Sequence, residues 1–572
     1  MKKTILLLLS AMAAIMLQAA ADIKALTSIV SVSTVDAEGK PLGKAWGVAI
    51  PSDSTAAGCV TVLAPYGLFK HAASATVTTG KRKTYPVYRI AGANDLYDVA
   101  KFTVRDCNVA PLPLASAKLI EGDKVSIAVA DGKKGRTLNA KIDGVEEHGG
   151  LAYYTLSLPA DSALIGLPLL NGAGEMVGVI QKNAASGDDK MLAIGAEISQ
   201  ALIVETMSAA NTSLNDIRIP KLLPAGEKQA SSYLYLLAKN SEDTVSYLAS
   251  LGDFITKYPS STFGYVQRAL YYASTQQYAK AEADYTAALS ACADSADVHY
   301  NMSTTLYLLN QSKSYQPYKD WTLERALGEI DTAYGILPTP LYLMHKGKCL
   351  YAMKRFADAA AVYNEINKTK FRSSENLFCE SRSLEMAGGD SLRVLALLDS
   401  AVVRFVQPYR ADAAPYIYYR AQKYDSYGYY KEAVVGYQDY QDVVGLKNLN
   451  DRFFFFKEQA EIKCDFYPQA LKDIEQALAL NPNEYVYHIE KALIETRTGD
   501  FEEAVISAKQ AQKLDPNDSD SYKLLGIAYG ELGNREAALS NLRRAVELGD
   551  SEAQSWIDSM KAVSAKSSKK RK

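Results

Sequence analysis

Histidine and cysteine are scarce in this 572-residue chain, with five and six copies respectively. The cysteines, Cys59, Cys107, Cys292, Cys349, Cys379 and Cys464, form no Cys-x-x-Cys pair, and no zinc-ligand spacing appears. No metal and no cofactor is expected. An excess of one charge is missing as well. The 63 basic and 65 acidic residues leave a net charge of -2, which argues against a general nucleic-acid or membrane-surface binder. Beyond the N-terminus, no apolar run is long enough to span a bilayer. Phenylalanine is outnumbered by tyrosine, 14 to 38, so many apolar contact positions carry a hydroxyl too.

What is present begins with a targeting pattern. Lys2 and Lys3 precede the apolar run Ile5–Leu17, and Ala19-Ala20-Ala21 offers small residues for cleavage. Residues 1–21 read as a bacterial signal peptide, so the mature protein is expected in the periplasm or secreted. No cysteine follows the run to take a lipid anchor. Export permits disulfides without requiring them, and Cys59–Cys107 is the pair to examine first. A chain of this length needs more than one core.

Residues 22–205 alternate short apolar runs with turn residues, the pattern of an all-β domain. Strands are expected at Val30–Thr34, Ala45–Ile50, Val60–Leu63, Ala75–Thr79, Val87–Ile90, Val99–Val104, Val125–Ala130, Ala152–Leu158 and Met176–Ile180. In the stretch 163–179, Leu167, Leu169 and Leu170 meet the turn Asn171-Gly172-Ala173-Gly174, and the apolar run from Met176 returns as a hairpin.

That stretch resembles the nucleophile loop of trypsin-like serine peptidases, closest to their HtrA-like branch. There the pattern is Gly-Asn-Ser-Gly-Gly-Pro-Leu-Leu-Asn. This chain keeps Gly166, Pro168, Leu169, Leu170, Asn171 and Gly174, with Ile165 in the serine position. Gly43–Ile50 is similar to the strand before the family's catalytic histidine. Val60–Leu68 falls where that histidine is carried, and Tyr66 or Gly67 replaces it. Asp95–Phe102 resembles the segment bearing the acid, which Asp98 matches. The resemblance implies a double β-barrel whose triad has lost its base and nucleophile. Isoleucine has no nucleophilic atom, and a lone orienting acid is not a partial catalyst. His71, His148 and Ser162 are poorly spaced substitutes.

Residues 206–227 hold Asn, Ser, Asp, Gly, Pro220 and Pro224 and read as a boundary linker. The period then changes. Ala470, Ala504 and Ala538 recur every 34 residues, as do Ala477, Ala511 and Ala545, with Pro482 and Pro516 as breakers. Close helix crossings need small residues, and each second helix needs a stop. The stretch 522–545, with Leu525, Gly526, Tyr529, Ala538 and Ala545, resembles the tetratricopeptide repeat. Eight or nine copies are expected over 228–560, with ten extra residues at 310–319 in one of them. The basic tail, 561–572, ends in the run Lys566–Lys572, which is expected to lack order.

The repeat resemblance implies a groove lined by the first helix of each pair. Its candidate lining residues are Tyr300, Tyr307, Lys348, Tyr351, Arg382, Tyr418, Gln422, Arg452 and Gln459. Together these form a mixed aromatic and basic wall suited to an extended peptide. The fold class expected is a trypsin-like double barrel followed by an all-α repeat array. The function expected is an exported protein-binding scaffold with a catalytically inactive peptidase-like domain. The alternative is a serine peptidase with atypical catalytic residues whose repeats recruit substrate. Nothing in the sequence indicates an oligomeric state.

Overall fold

A computed structural model describes residues 25–52, 58–130, 135–182, 190–240, 244–292 and 295–570. The expected signal peptide lies outside the described residues. The chain divides into two compact units, 1–301 and 302–572.

The first unit opens with two closed, six-stranded antiparallel barrels. Barrel one consists of β1 (Ile29–Val35), β2 (Pro41–Ile50), β3 (Cys59–Ala64), β4 (Ser74–Thr79), β5 (Thr84–Asn94) and β6 (Val99–Arg105). Its order is β1-β2-β3-β6-β5-β4. Barrel two consists of β7 (Lys124–Val129), β8 (Arg136–His148), β9 (Leu151–Pro159), β10 (Pro168–Leu170), β11 (Met176–Gln181) and β12 (Lys190–Gly195). Closure removes every sheet edge, which is how these short strands avoid leaving unpaired backbone. The expected hairpin is there, with Leu169 opposite Gly178 and Leu170 opposite Met176. Asn171 builds its turn, accepting at Oδ1 from the Ala173 and Glu175 amides.

Two strands were not anticipated. In β8 only Ala140 and Ile142 are buried, so it carries almost no apolar signal. In the β12 run Met191–Ile194 all but Leu192 are buried, and the run is too short for its period to separate strand from helix.

The segment expected as a linker packs on barrel one. Leu214, Ile217 and Ile219 join the barrel's core beside Val77, Ile90 and Phe102. Ile90 donates its amide to the Pro220 carbonyl at 2.9 Å and accepts from Leu222 at 2.8 Å. Asp253, on the helix Thr244–Lys257, accepts from Arg89 Nε at 2.6 Å and from the Tyr88 hydroxyl at 2.9 Å. All six cysteines are free thiols, Cys59 and Cys107 included.

From Glu227–Asn240 to Glu552–Lys570, nineteen helices follow among the described residues, in nine pairs and a last single helix. Ala470, Ala504 and Ala538, like Ala477, Ala511 and Ala545, are completely buried. The crossings leave no spare room. A Cβ on Gly526 would lie 2.5 Å from Leu542 Cγ, and one on Gly347 would lie 2.6 Å from the Tyr363 ring. Side-chain caps at Thr339, Ser373, Asn450 and Asp518 start four of the first helices. The extra residues 310–319 wrap Trp321, whose carbonyl accepts from the Tyr315 hydroxyl at 2.8 Å. The tail was expected to lack order, yet the last helix runs through Lys570. That helix is anchored at its start by the buried Ala553 and Ile557.

Candidate functional site

Pro65 follows strand β3, and Tyr66–Leu68 winds into one 3-10 turn. The amide of Gly67 donates to Asp98 Oδ1 at 2.7 Å. A Cβ on Gly67 would stand 3.4 Å from the same oxygen. Of the two residues considered for the base position, Gly67 therefore faces the acid. Tyr66 turns inward and donates its hydroxyl to Asp216 Oδ2 at 3.3 Å. Burial, then the Asp216 charge, pushes the Tyr66 phenol up to about 12. Asp98 holds a left-handed φ of 44°, which aspartate tolerates better than most residues. Burial raises its carboxyl above the usual range, opposed by the Gly67 amide and the Lys182 charge.

The opposite wall comes from barrel two. Ser162–Leu164 forms a 3-10 turn capped by Asp161, whose Oδ1 accepts the Ala163 amide at 2.9 Å. Ile165 follows in extended conformation, half-buried. Gly166 has φ 85°, and a Cβ there would lie 2.3 Å from the Trp46 carbonyl oxygen and 3.0 Å from Pro65 Cδ. The pinch holds Ile165 beside the loop that carries Gly67. An oxyanion hole needs free amides aimed at one point, and here the Ala163 amide is tied to a side chain. The two histidines of the barrels stand elsewhere. His71 is exposed, with its amide on the Asp216 carbonyl at 2.7 Å, and His148 is exposed against Glu146.

Within the second unit, the groove candidates fall into two kinds. Arg382 and Tyr351 meet, the guanidinium donating to the Tyr351 hydroxyl at 3.2 Å. Lys348 lies 3.8 Å from Glu375. Arg452 is exposed. Tyr418, by contrast, packs between helices against Tyr440, with ring centres 4.7 Å apart, and Gln422 bonds to it. Tyr307 leans on the buried His345 ring at 5.5 Å, and Gln459 donates to Glu458 at 2.9 Å. Tyr300, in the first unit, is half-buried. Phe378, Tyr419, Glu385 and Lys423 also belong to the Arg382 cluster and were not anticipated. Tyr419 was hidden by its neighbour Tyr418, since helical spacing alone does not say which of two adjacent tyrosines faces out.

Among the described residues, no cluster of three or more His, Cys, Asp or Glu could hold a metal ion. No helix among them is long and apolar enough to cross a membrane.

Two adjoining segments, 465–519 and 519–548, match family models of the tetratricopeptide repeat. A curated relative is the small glutamine-rich tetratricopeptide repeat-containing protein 2 of Mycosarcoma maydis. It is 33% identical over 85 residues, which is 15% of this chain and 24% of that protein. The match thus spans about a quarter of the relative's length. Among solved structures, the chain is similar to the Rv3671c protease from M. tuberculosis in its active form, at 18% identity. That match covers 35% of this chain and 85% of the other, with TM-score 0.27. The serine endoprotease from Yersinia pestis is 17% identical over 32% of this chain and 64% of its own, with TM-score 0.27. YrrB, a TPR protein with an unusual peptide-binding site, is 20% identical over 35% and 99%, with TM-score 0.30. The chain thus combines two closed six-stranded barrels with tetratricopeptide repeats over residues 465–548.

Proposed function

We propose that this protein is an exported scaffold whose array holds a protein or peptide partner and whose peptidase-like barrels are catalytically inert. The contact between Asp98 and the Gly67 amide carries the reading. The acid that should orient an imidazole instead holds backbone, and Ile165 offers no nucleophile. The Ala163 amide, tied to Asp161, adds a third deficit, because one amide of the loop is taken up by a side chain. Export rests on the N-terminal charge and hydropathy pattern alone.

The test uses the purified mature chain with a fluorophosphonate probe and with casein as substrate. No labelling and no cleavage are expected. Stoichiometric labelling of any serine, abolished by its replacement with alanine, would overturn the inert reading and favour the atypical peptidase. Cell fractionation with N-terminal sequencing tests export, and an intact Met1 in the cytoplasm would refute it.

A further inference from the structure

We infer that Arg382 is the specificity anchor of the array groove and takes an acidic side chain from an extended segment of the partner. This rests on the reading that the groove holds the partner, and it names the chemistry recognised there.

Arg382 lies on the helix Ser374–Met386, the first helix of the fifth pair. Its guanidinium carbon sits 5.3 Å from the centre of the Tyr351 ring, 5.8 Å from Phe378 and 5.9 Å from Tyr419. All three are within the range in which a ring attracts a cation. Tyr351 comes from the first helix of the preceding pair and Tyr419 from that of the following pair. The rings hold the side chain without neutralising it. Neighbouring cations are already matched: Lys423 bonds Glu385 at 2.6 Å, and Lys348 stands 3.8 Å from Glu375. Arg382 has no carboxylate partner among the described residues, and it is exposed. Its hydrogen bonds go to neutral groups, the Tyr351 and Tyr419 hydroxyls, and leave further N–H donors of the five open.

A guanidinium fixed in this way is set for the two parallel bonds that a carboxylate accepts. Flanking rings cover the faces of the guanidinium and leave its edge to solvent, where such a pair forms. Pairs of helices continue on both sides of Arg382, so a chain laid through the groove passes it in both directions. That favours a side-chain carboxylate over a chain terminus.

The experiment uses the full mature chain and two fluorescein-labelled dodecapeptides of alternating Tyr and Glu, or alternating Tyr and Gln. Both are acetylated and amidated, so neither has a terminal carboxylate. Fluorescence anisotropy should show the Glu peptide binding at least tenfold more tightly than the Gln peptide. Arg382→Gln should abolish that difference while circular dichroism stays unchanged, and Arg382→Lys should restore only part of it. Equal binding of both peptides to the wild type would overturn the Arg382 proposal and leave the groove reading standing. So would discrimination that survives in Arg382→Gln, or that needs a free C-terminus. If neither peptide binds, and crosslinking puts the native partner on residues 25–205, both readings fall together.

Discussion

Asp98 and Gly67 are joined by a 2.7 Å hydrogen bond in which the carboxylate accepts from a backbone amide. An added methyl at Gly67 would make an ordinary contact, 3.4 Å from Asp98 Oδ1. Gly67→Ala should therefore change stability by no more than about 1 kcal/mol. Gly166→Ala meets the Trp46 carbonyl oxygen at 2.3 Å with φ 85° and should cost about 2–4 kcal/mol. Urea unfolding followed by tryptophan fluorescence compares the two. Equal losses would mean that the barrels do not meet at Gly166 as described.

In the array, Ala504 is fully buried where the helices Tyr485–Thr498 and Phe501–Leu514 cross. Ala504→Leu should overpack the crossing and cost about 1–3 kcal/mol. The loss should spread into the neighbouring pairs, because each repeat is supported by the next. Hydrogen exchange over residues 467–547 would show it, and protection unchanged in those residues would contradict the register.

The array also carries a pH dependence. Glu458 is fully buried, with Oε1 unpaired and Oε2 accepting from Gln459. Burial, then the Glu490 charge, pushes its carboxyl up to about 9 from an ordinary 4.5, and Glu461 and Asp473 push the same way. The folded state thus keeps the proton more tightly than the unfolded chain. That contribution is fully present below about 4.5 and is lost as pH rises through about 9. Melting followed by circular dichroism should give a higher Tm at pH 6 than at pH 9, with Glu458→Gln narrowing the gap. An unaltered gap in the variant would rule out Glu458 as its source.

Ile217 is fully buried in barrel one although it lies beyond the last strand. Ile217→Ala should cost about 2–4 kcal/mol. Hydrogen exchange should locate the loss in β4, β5 and β6. Confinement of the loss to the helices after residue 227 would show that this segment serves the array alone.

The barrels were legible because their motifs come in the right order, and the array because alanines at a 34-residue period mark the crossings of its last three pairs. Other features carry weaker signals. Ile217 and Ile219 are isolated among Asn, Asp and Pro, so their composition resembles a linker while their side chains complete a core. Asp161 reads as a turn residue, and only the 2.9 Å bond reveals that it occupies the Ala163 amide. The choice between Tyr66 and Gly67 was one residue wide, and only the direction of the missing Cβ separated them. The three rings around Arg382 come from three helices, and no local spacing brings them together.

The packed segment after barrel two also sets where this gene can be cut and rejoined. A recombination junction between residues 206 and 216 would part Ile217 and Ile219 from the barrel they complete. It would also separate Asp253 from Arg89 and Tyr88. The smallest heritable block therefore runs from β1 through the helix Thr244–Lys257. Helix pairs beyond that block should tolerate duplication or loss with both barrels closed, because each repeat contacts only its neighbours.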